Sequence, residues 1–229
     1  IPSVSTLAVL YYSQNKVDEA MSLFETAANA GYAEAERNLA IVLEIGESNE
    51  TEKIFDLYNK AAEKEDVLAL NNLGCCYLNG EGSEQDYKKA VSCFDKATRE
   101  YDDLAMLNLG NCYSFGLGVR QNLKKAFSLY ERAAETGNVE AVRVMADCYF
   151  YGRGVKQDLK TAYKYYSKAA EKGDVEAIEA VKKLQKMLVG HKHTEPVRPV
   201  SEKEKPQAEE KAAEKPTPKP KKKRDDYSL

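Results

Sequence analysis

The chain has 229 residues, 43% apolar and 31% charged, which is enough apolar surface for one or two folded domains. No run approaches the ~18 consecutive apolar residues that a bilayer-crossing helix needs. The charge also argues against a nucleic-acid-binding body: up to Val189 there are 23 Lys and Arg against 29 Asp and Glu, a net −6, and beyond it 11 against 8, a net +3.

The opening Ile1, Pro2 and Ser3 form neither a start methionine nor a basic signal segment, so the expectation is a fragment or a processed product. Between Ser3 and Glu195 there is no proline, so this stretch can be helical throughout. Residues 3–32 read as a short helical hairpin around Leu7, Ala8, Tyr11 and Ala20, with no glycine at its turn. In 33–66 only Gly46 stands at the turn, the spacing is two residues shorter than in later repeats, and Glu65 stands where a glycine would close the second helix.

From 67 onward a step of 36 residues is plain. Gly80 and Gly82 recur as Gly116 and Gly118, then as Gly152 and Gly154; Ala69, Ala105, Ala141 and Ala177 keep the same step, as do Tyr77, Tyr113 and Tyr149. Each of 67–102, 103–138 and 139–174 holds two stretches of helical spacing, such as Ala105, Leu109, Cys112 and Tyr113 followed by Ala126, Leu129, Tyr130 and Ala133. The Gly-x-Gly pair lets the chain leave the first helix through positive φ and turn back. A small-residue column (Ala40, Gly74, Gly110, Ala146) lets the second helix approach the first, and tyrosines fill the wider gaps between repeats. Residues 175–189 supply one more first helix, with Lys182 and Gln185 in the small and tyrosine columns, as suits a cap. The fold class is therefore all-α: a solenoid of helical hairpins over 1–189. The Lys/Glu/Pro-rich 190–229 follows as a tail too poor in large apolar residues to order itself.

With these residues in place, the chain resembles the Sel-1-like repeat family, relatives of the tetratricopeptide repeat. The glycines, alanines and tyrosines of Ala105 to Gly137 and of Ala141 to Gly173 match that pattern almost fully, and the N-terminal repeat looks more like a tetratricopeptide repeat. The resemblance implies a right-handed superhelix and a scaffold or adaptor role in assembling protein complexes. Because the sequence does not begin with methionine, the alternative is a regulatory repeat region of a larger enzyme or membrane-associated complex, a kinase or a quality-control ubiquitin-ligase complex, whose other part would lie upstream of residue 1. Some bacterial members staple each repeat with a cysteine pair, a pairing this chain lacks.

Each chemically suggestive residue also has a packing role open to it. Cys76, Cys112 and Cys148 share one column on successive first helices, too far apart to bridge at the ~8–10 Å spacing of packed helices, so the five cysteines read as buried or partly buried free thiols, which suits a reducing compartment. His191 and His193 are the only histidines and lie in the tail, so no Ser-His-Asp or Cys-His set can form in the repeats. No catalytic residue, cofactor or metal is expected. Partners are expected to be other proteins, without nucleic acid, small-molecule substrate or membrane span.

The binding expectation falls on a stripe of the first helices, predicted to face a concave surface: Arg37, Ile41 and Ile45; Asn71, Cys75 and Asn79; Leu107, Asn111 and Phe115; Arg143, Asp147 and Tyr151; and Glu179. Arg37, Asn71, Asn79, Leu107, Asn111, Phe115, Arg143, Asp147 and Tyr151 are the candidate partner-binding residues, for an extended or helical peptide. The alternative is that Phe115 and Tyr151 pack beneath the next loop. In the tail, Lys219, Lys221, Lys222, Lys223 and Arg224 resemble a nuclear import signal, against a merely solubilising patch, so the expected location is cytoplasmic or nuclear.

Overall fold

A computed structural model describes residues 4–46 and 48–190, and every helix in it is α-helical. The expected tail, its histidines and the basic run Lys219 to Arg224 lie outside the described residues. Among those described there is no strand, and no helix is long and apolar enough to cross a membrane.

The chain divides into two compact units, 4–138 and 139–190 in the described part. The first holds four hairpins: α1 (Val4–Ser13) with α2 (Val17–Asn29), α3 (Ala33–Ile45) with α4 (Thr51–Glu63), α5 (Val67–Asn79) with α6 (Tyr87–Thr98), and α7 (Asp103–Phe115) with α8 (Leu123–Glu135). Each helix packs chiefly on its sequence neighbours, α2 on α3, α4 on α5 and α6 on α7 between hairpins, as stacking requires. The second unit holds α9 (Val139–Tyr151), α10 (Leu159–Ala170) and α11 (Val175–Gly190), with α10 packed between the other two.

Helix starts are set by recurring side-chain caps. Asp66, Asp102 and Asp174 each accept the backbone N–H of the alanine three residues on, Ala69, Ala105 and Ala177, at 2.8, 2.6 and 2.7 Å. Asp86, Asn122 and Asp158 do the same for the second helices. The helix exits are served by a glutamine column: the Gln85, Gln121 and Gln157 side-chain amides reach back seven residues to the carbonyls of Leu78, Ser114 and Phe150 at 2.8, 2.8 and 2.7 Å. These bonds satisfy carbonyls that the helix end leaves without a partner.

Two glycines show what the period demands. A Cβ on Gly110 would lie 2.5 Å from Cε1 of Tyr130, so the tyrosine ring sits flat against the first-helix backbone where any side chain would stand. Gly118 combines φ of +67° with a backbone pressed against the Tyr87 carbonyl of the preceding repeat, so it serves stacking as well as turning. Gly46 is not left-handed, φ −70°, in keeping with the different turn expected there. Glu65 and Tyr101, by contrast, adopt φ of 64° and 62°, the conformation that Gly137 takes at the same place. The second-helix exit is therefore kept without its glycine.

The small column works as expected in bringing the helices together, but the tyrosines divide into two roles. Tyr77 does fill a gap between repeats, edge-on to Phe55 with ring centroids 5.3 Å apart. The buried set Phe24, Tyr58, Phe94 and Tyr130, and Tyr166 in the second unit, lies within hairpins instead.

Candidate interaction surface

The aromatic column on the second helices decides what the first-helix stripe is free to do. The Tyr130 hydroxyl donates to Asn111 Oδ1 at 2.9 Å, and the Tyr166 hydroxyl donates to Asp147 Oδ1 in a short bond. In the third repeat the aromatic is Phe94, which has no hydroxyl, and the matching first-helix position is the buried thiol Cys75. In the second repeat that position is Ile41, and the Tyr58 hydroxyl turns to Glu44 at 3.0 Å, three residues further along the helix. Donor and acceptor change together from repeat to repeat. Asn111 and Asp147 are thus hydrogen-bond partners of their own hairpins, a role that sequence reasoning missed.

The N-terminal row of the stripe is closed on α3, α5, α7 and α9. Leu107 is 1% and Asn71 3% exposed, so the expectation that both face a ligand is corrected: adjacent first helices approach closely there. Asn108 on α7 donates to Asn71 Oδ1 on α5 at 3.0 Å and contacts the Cys75 sulfur at 3.6 Å, spanning two repeats. Arg37 is held by Asp66, the cap of α5, at 2.7 Å, and by Asn38 Oδ1 at 3.2 Å. In the second unit Arg143 Nε meets Asp174, the cap residue of α11, at 3.2 Å, with Glu140 and Asp147 each at 3.4 Å. Both arginines are largely buried and tie one first helix to the start of the next, which is structural work.

What stays open is the C-terminal end of the first helices. In the first unit Ile45 and Phe115 are exposed, Asn79 is half-buried and donates to Glu81 at 2.9 Å, and Asn111 is half-buried. In the second unit Tyr151 is 59% exposed, with the Arg153 guanidinium 4.8 Å above its ring and Phe150 edge-on at 4.8 Å. Glu179, at the N-terminal row position of the last helix α11, is exposed too. Phe115 is therefore exposed, and Tyr151 keeps most of its surface open although Arg153 of the following loop stands over one face of its ring.

The titratable groups follow burial. Cys75, Cys76, Cys112 and Cys148 are buried and Cys93 half-buried, all five unpaired. Burial raises every thiol, Cys76 and Cys112 to about 12, Cys93 and Cys148 to about 11, and Cys75 further still, so none is a thiolate nucleophile at neutral pH. Burial also raises the Asp147 carboxyl, against the opposing Tyr166 hydrogen bond and Arg143 charge. Among the described residues no group of three His, Cys, Asp or Glu side chains is placed to hold a metal ion.

The repeat pattern itself is matched by a family model, Sel1 repeat, over residues 7–32, 33–66, 67–102, 103–138 and 139–174. The chain belongs to the Sel1 repeat family. It is similar to a Sel1 repeat protein from Oxalobacter formigenes, 25% identical over 86% of this chain and 88% of that one, with a TM-score of 0.72. A protective antigen of uropathogenic Escherichia coli described as displaying an SLR fold is also 25% identical, with a TM-score of 0.70; the match covers 80% of this chain and 41% of the antigen, so the chain spans about two-fifths of that protein's length. A Klebsiella pneumoniae Sel1 repeat structure, 17% identical with a TM-score of 0.55, shares the fold. A search of curated protein sequences gave no match. The expected all-α solenoid of hairpin repeats is the observed one, and Sel1 solenoids are typically non-catalytic scaffolds for protein interaction.

Proposed function

We propose that this Sel1 repeat chain holds partner polypeptides against the C-terminal ends of its first helices, on Ile45, Asn79 and Phe115 within the first unit and on Tyr151 within the second. The observation that carries this reading is the split within the stripe: its N-terminal row is committed to contacts between repeats, while the row at the helix ends leaves large apolar side chains bare beside polar ones. Tyr and Phe supply contact area at small entropic cost, and Asn fixes orientation.

The test is capture of partner proteins by the chain and by Phe115→Ala and Tyr151→Ala, singly and together. Both residues are exposed, so helix content by circular dichroism should stay at the wild-type level while one or more partners are lost. If the double variant retains every partner at wild-type yield, the reading fails. Arg143 and Asn71 are unsuitable for this experiment, because their loss would disturb the stacking.

A further inference from the structure

A cavity of about 500 Å³ opens in the first unit where α7 turns into α8, lined by Tyr113, Arg120, Gln121, Asn122 and Lys125. It is distinct from the exposed row above: Tyr113 stands two residues from Phe115, about 200° around the helix. The fold fixes its walls. The Gly118 backbone is pressed against the Tyr87 carbonyl, which seats the turn on the preceding repeat just before Arg120. The Gln121 amide is committed to the Ser114 carbonyl, and Asn122 Oδ1 caps the Lys125 N–H at 3.0 Å. Lys125 lies across the Tyr113 ring, its ammonium 4.2 Å from the centroid and donating to the hydroxyl at 2.6 Å.

These contacts leave a cavity lined by unused donors and by no carboxylate. Lys125 has N–H groups to spare, the Tyr113 hydroxyl accepts from it and keeps its own hydrogen, and Asn122 keeps its amide nitrogen. Exposed Arg120 has no ion-pair partner among the described residues, so its planar fork is free. The other repeats show that the fold does not require this charge. At the places of Arg120, Asn122 and Lys125 the third repeat has Glu84, Asp86 and Lys89, with Lys89 5.1 Å over the Tyr77 ring. The fifth has Lys156, Asp158 and Thr161, with Tyr165 stacked on Tyr149 instead. Asp86 and Asp158 each accept two N–H groups of their helices, so a carboxylate caps this position at least as well as Asn122 does. Of the three repeats that share this turn, the fourth alone joins phenol, ammonium and guanidinium without a negative charge.

We infer that this cavity binds the phosphate monoester of a phosphorylated side chain on a partner protein. The Arg120 guanidinium gives parallel N–H bonds to two phosphate oxygens, and the Lys125 ammonium and Tyr113 phenol serve the third. A phosphate monoester carries close to two negative charges at neutral pH, which matches the two cations. A carboxylate brings a single charge and leaves one cation unanswered. The volume exceeds that of a phosphate group alone and leaves room for the side chain that carries it.

The isotope-labelled full chain is titrated at fixed ionic strength with N-acetyl-O-phosphoserine N-methylamide, with inorganic phosphate and with the matching blocked glutamate. The side-chain N–H signals of Arg120, Gln121 and Asn122 are followed by NMR. The phosphoserine probe is expected to move them saturably, to bind about tenfold more tightly than the glutamate probe, and to bind no more weakly than inorganic phosphate. Arg120→Glu combined with Asn122→Asp gives the turn the residues of the third repeat, so helix content by circular dichroism should be kept while the shifts vanish. Asn122→Asp alone keeps the cap and should weaken binding several-fold. No saturable shift, binding of the glutamate probe as tight as that of phosphoserine, or binding undiminished in either variant overturns the inference. So does tighter binding of inorganic phosphate, because the site would then serve the free anion rather than a protein.

Discussion

Replacing Tyr166 by Phe tests the claim that Asp147 serves its own hairpin rather than a ligand. The ring is nearly buried and its hydroxyl donates to the Asp147 carboxylate, which is also 3.4 Å from Arg143 and keeps a third of its side-chain surface in water. A hydrogen bond to a charged acceptor contributes about 1.5–3 kcal/mol. Water and Arg143 can partly replace the lost donor, so the expected loss is at the low end, about 1–2 kcal/mol. For an array of this size that lowers Tm by roughly 2–8 °C. The converse change is Phe94→Tyr, which places a hydroxyl in a fully buried site where the matching first-helix residue is Cys75, a poor acceptor. It should cost about 1–3 kcal/mol, and adding Cys75→Asn should recover at least half of that by recreating the Tyr130–Asn111 pair of the next repeat. Thermal unfolding followed by far-UV circular dichroism reads both effects, and hydrogen exchange of α9 and α10 localises the first. The reasoning is refuted if Tyr166→Phe lies within about 0.3 kcal/mol of wild type, or if the double variant is no more stable than Phe94→Tyr alone.

The two kinds of glycine should separate in the same assay: Gly110→Ala, whose Cβ would meet the Tyr130 ring at 2.5 and 2.8 Å, is expected to lose about 1–3 kcal/mol, whereas Gly137→Ala, with nothing within 4 Å, loses only the strain of its positive φ, about 1 kcal/mol. Equal losses would remove the close-approach argument. In native alkylation with iodoacetamide read by mass spectrometry, half-buried Cys93 should react first and Cys75, Cys76, Cys112 and Cys148 only after guanidinium unfolding; early labelling of Cys75 would contradict its burial. Asp147→Asn tests the raised carboxyl. A folded value above the ordinary 3.8 means that its contribution to stability is present below that value and is lost as pH rises through the raised one. The variant keeps an oxygen for Tyr166, as Asn111 does for Tyr130, so it should equal or exceed wild type in Tm at pH 7 and lose that advantage as pH falls toward 4. A variant that gains relative to wild type on acidification would show the sign to be wrong.

The hairpins were legible because their requirements are local and repeat: a glycine pair that turns the chain, an alanine that faces a neighbouring helix, apolar residues at helical spacing. The stripe was only half legible, because helical spacing alone treats its three rows alike. Closure of the N-terminal row depends on contacts between residues about thirty or more apart, Arg37 with Asp66, Arg143 with Asp174 and Asn71 with Asn108. No local rule brings those pairs together. Yet traces of them stood in the sequence. Each stripe arginine is followed by an aspartate cap at the start of the next first helix, and the columns of Gln85 and Asp66 recur as plainly as the glycines.

That contrast separates structure from surface within a repeat array. Tyr130 keeps company with Asn111, Tyr166 with Asp147 and Phe94 with Cys75, so a change at one position is answered at the other, as packing demands. Ile45, Asn79, Phe115 and Tyr151 occupy one column too, but the contacts given for two of them lie in the following turn and not on the second helix: Asn79 donates to Glu81, and the Arg153 guanidinium stands over Tyr151. Those answers are local to each turn, so this column can differ from repeat to repeat without disturbing the contacts that Arg37, Asn71 and Arg143 make between repeats, which is what the proposed binding row requires.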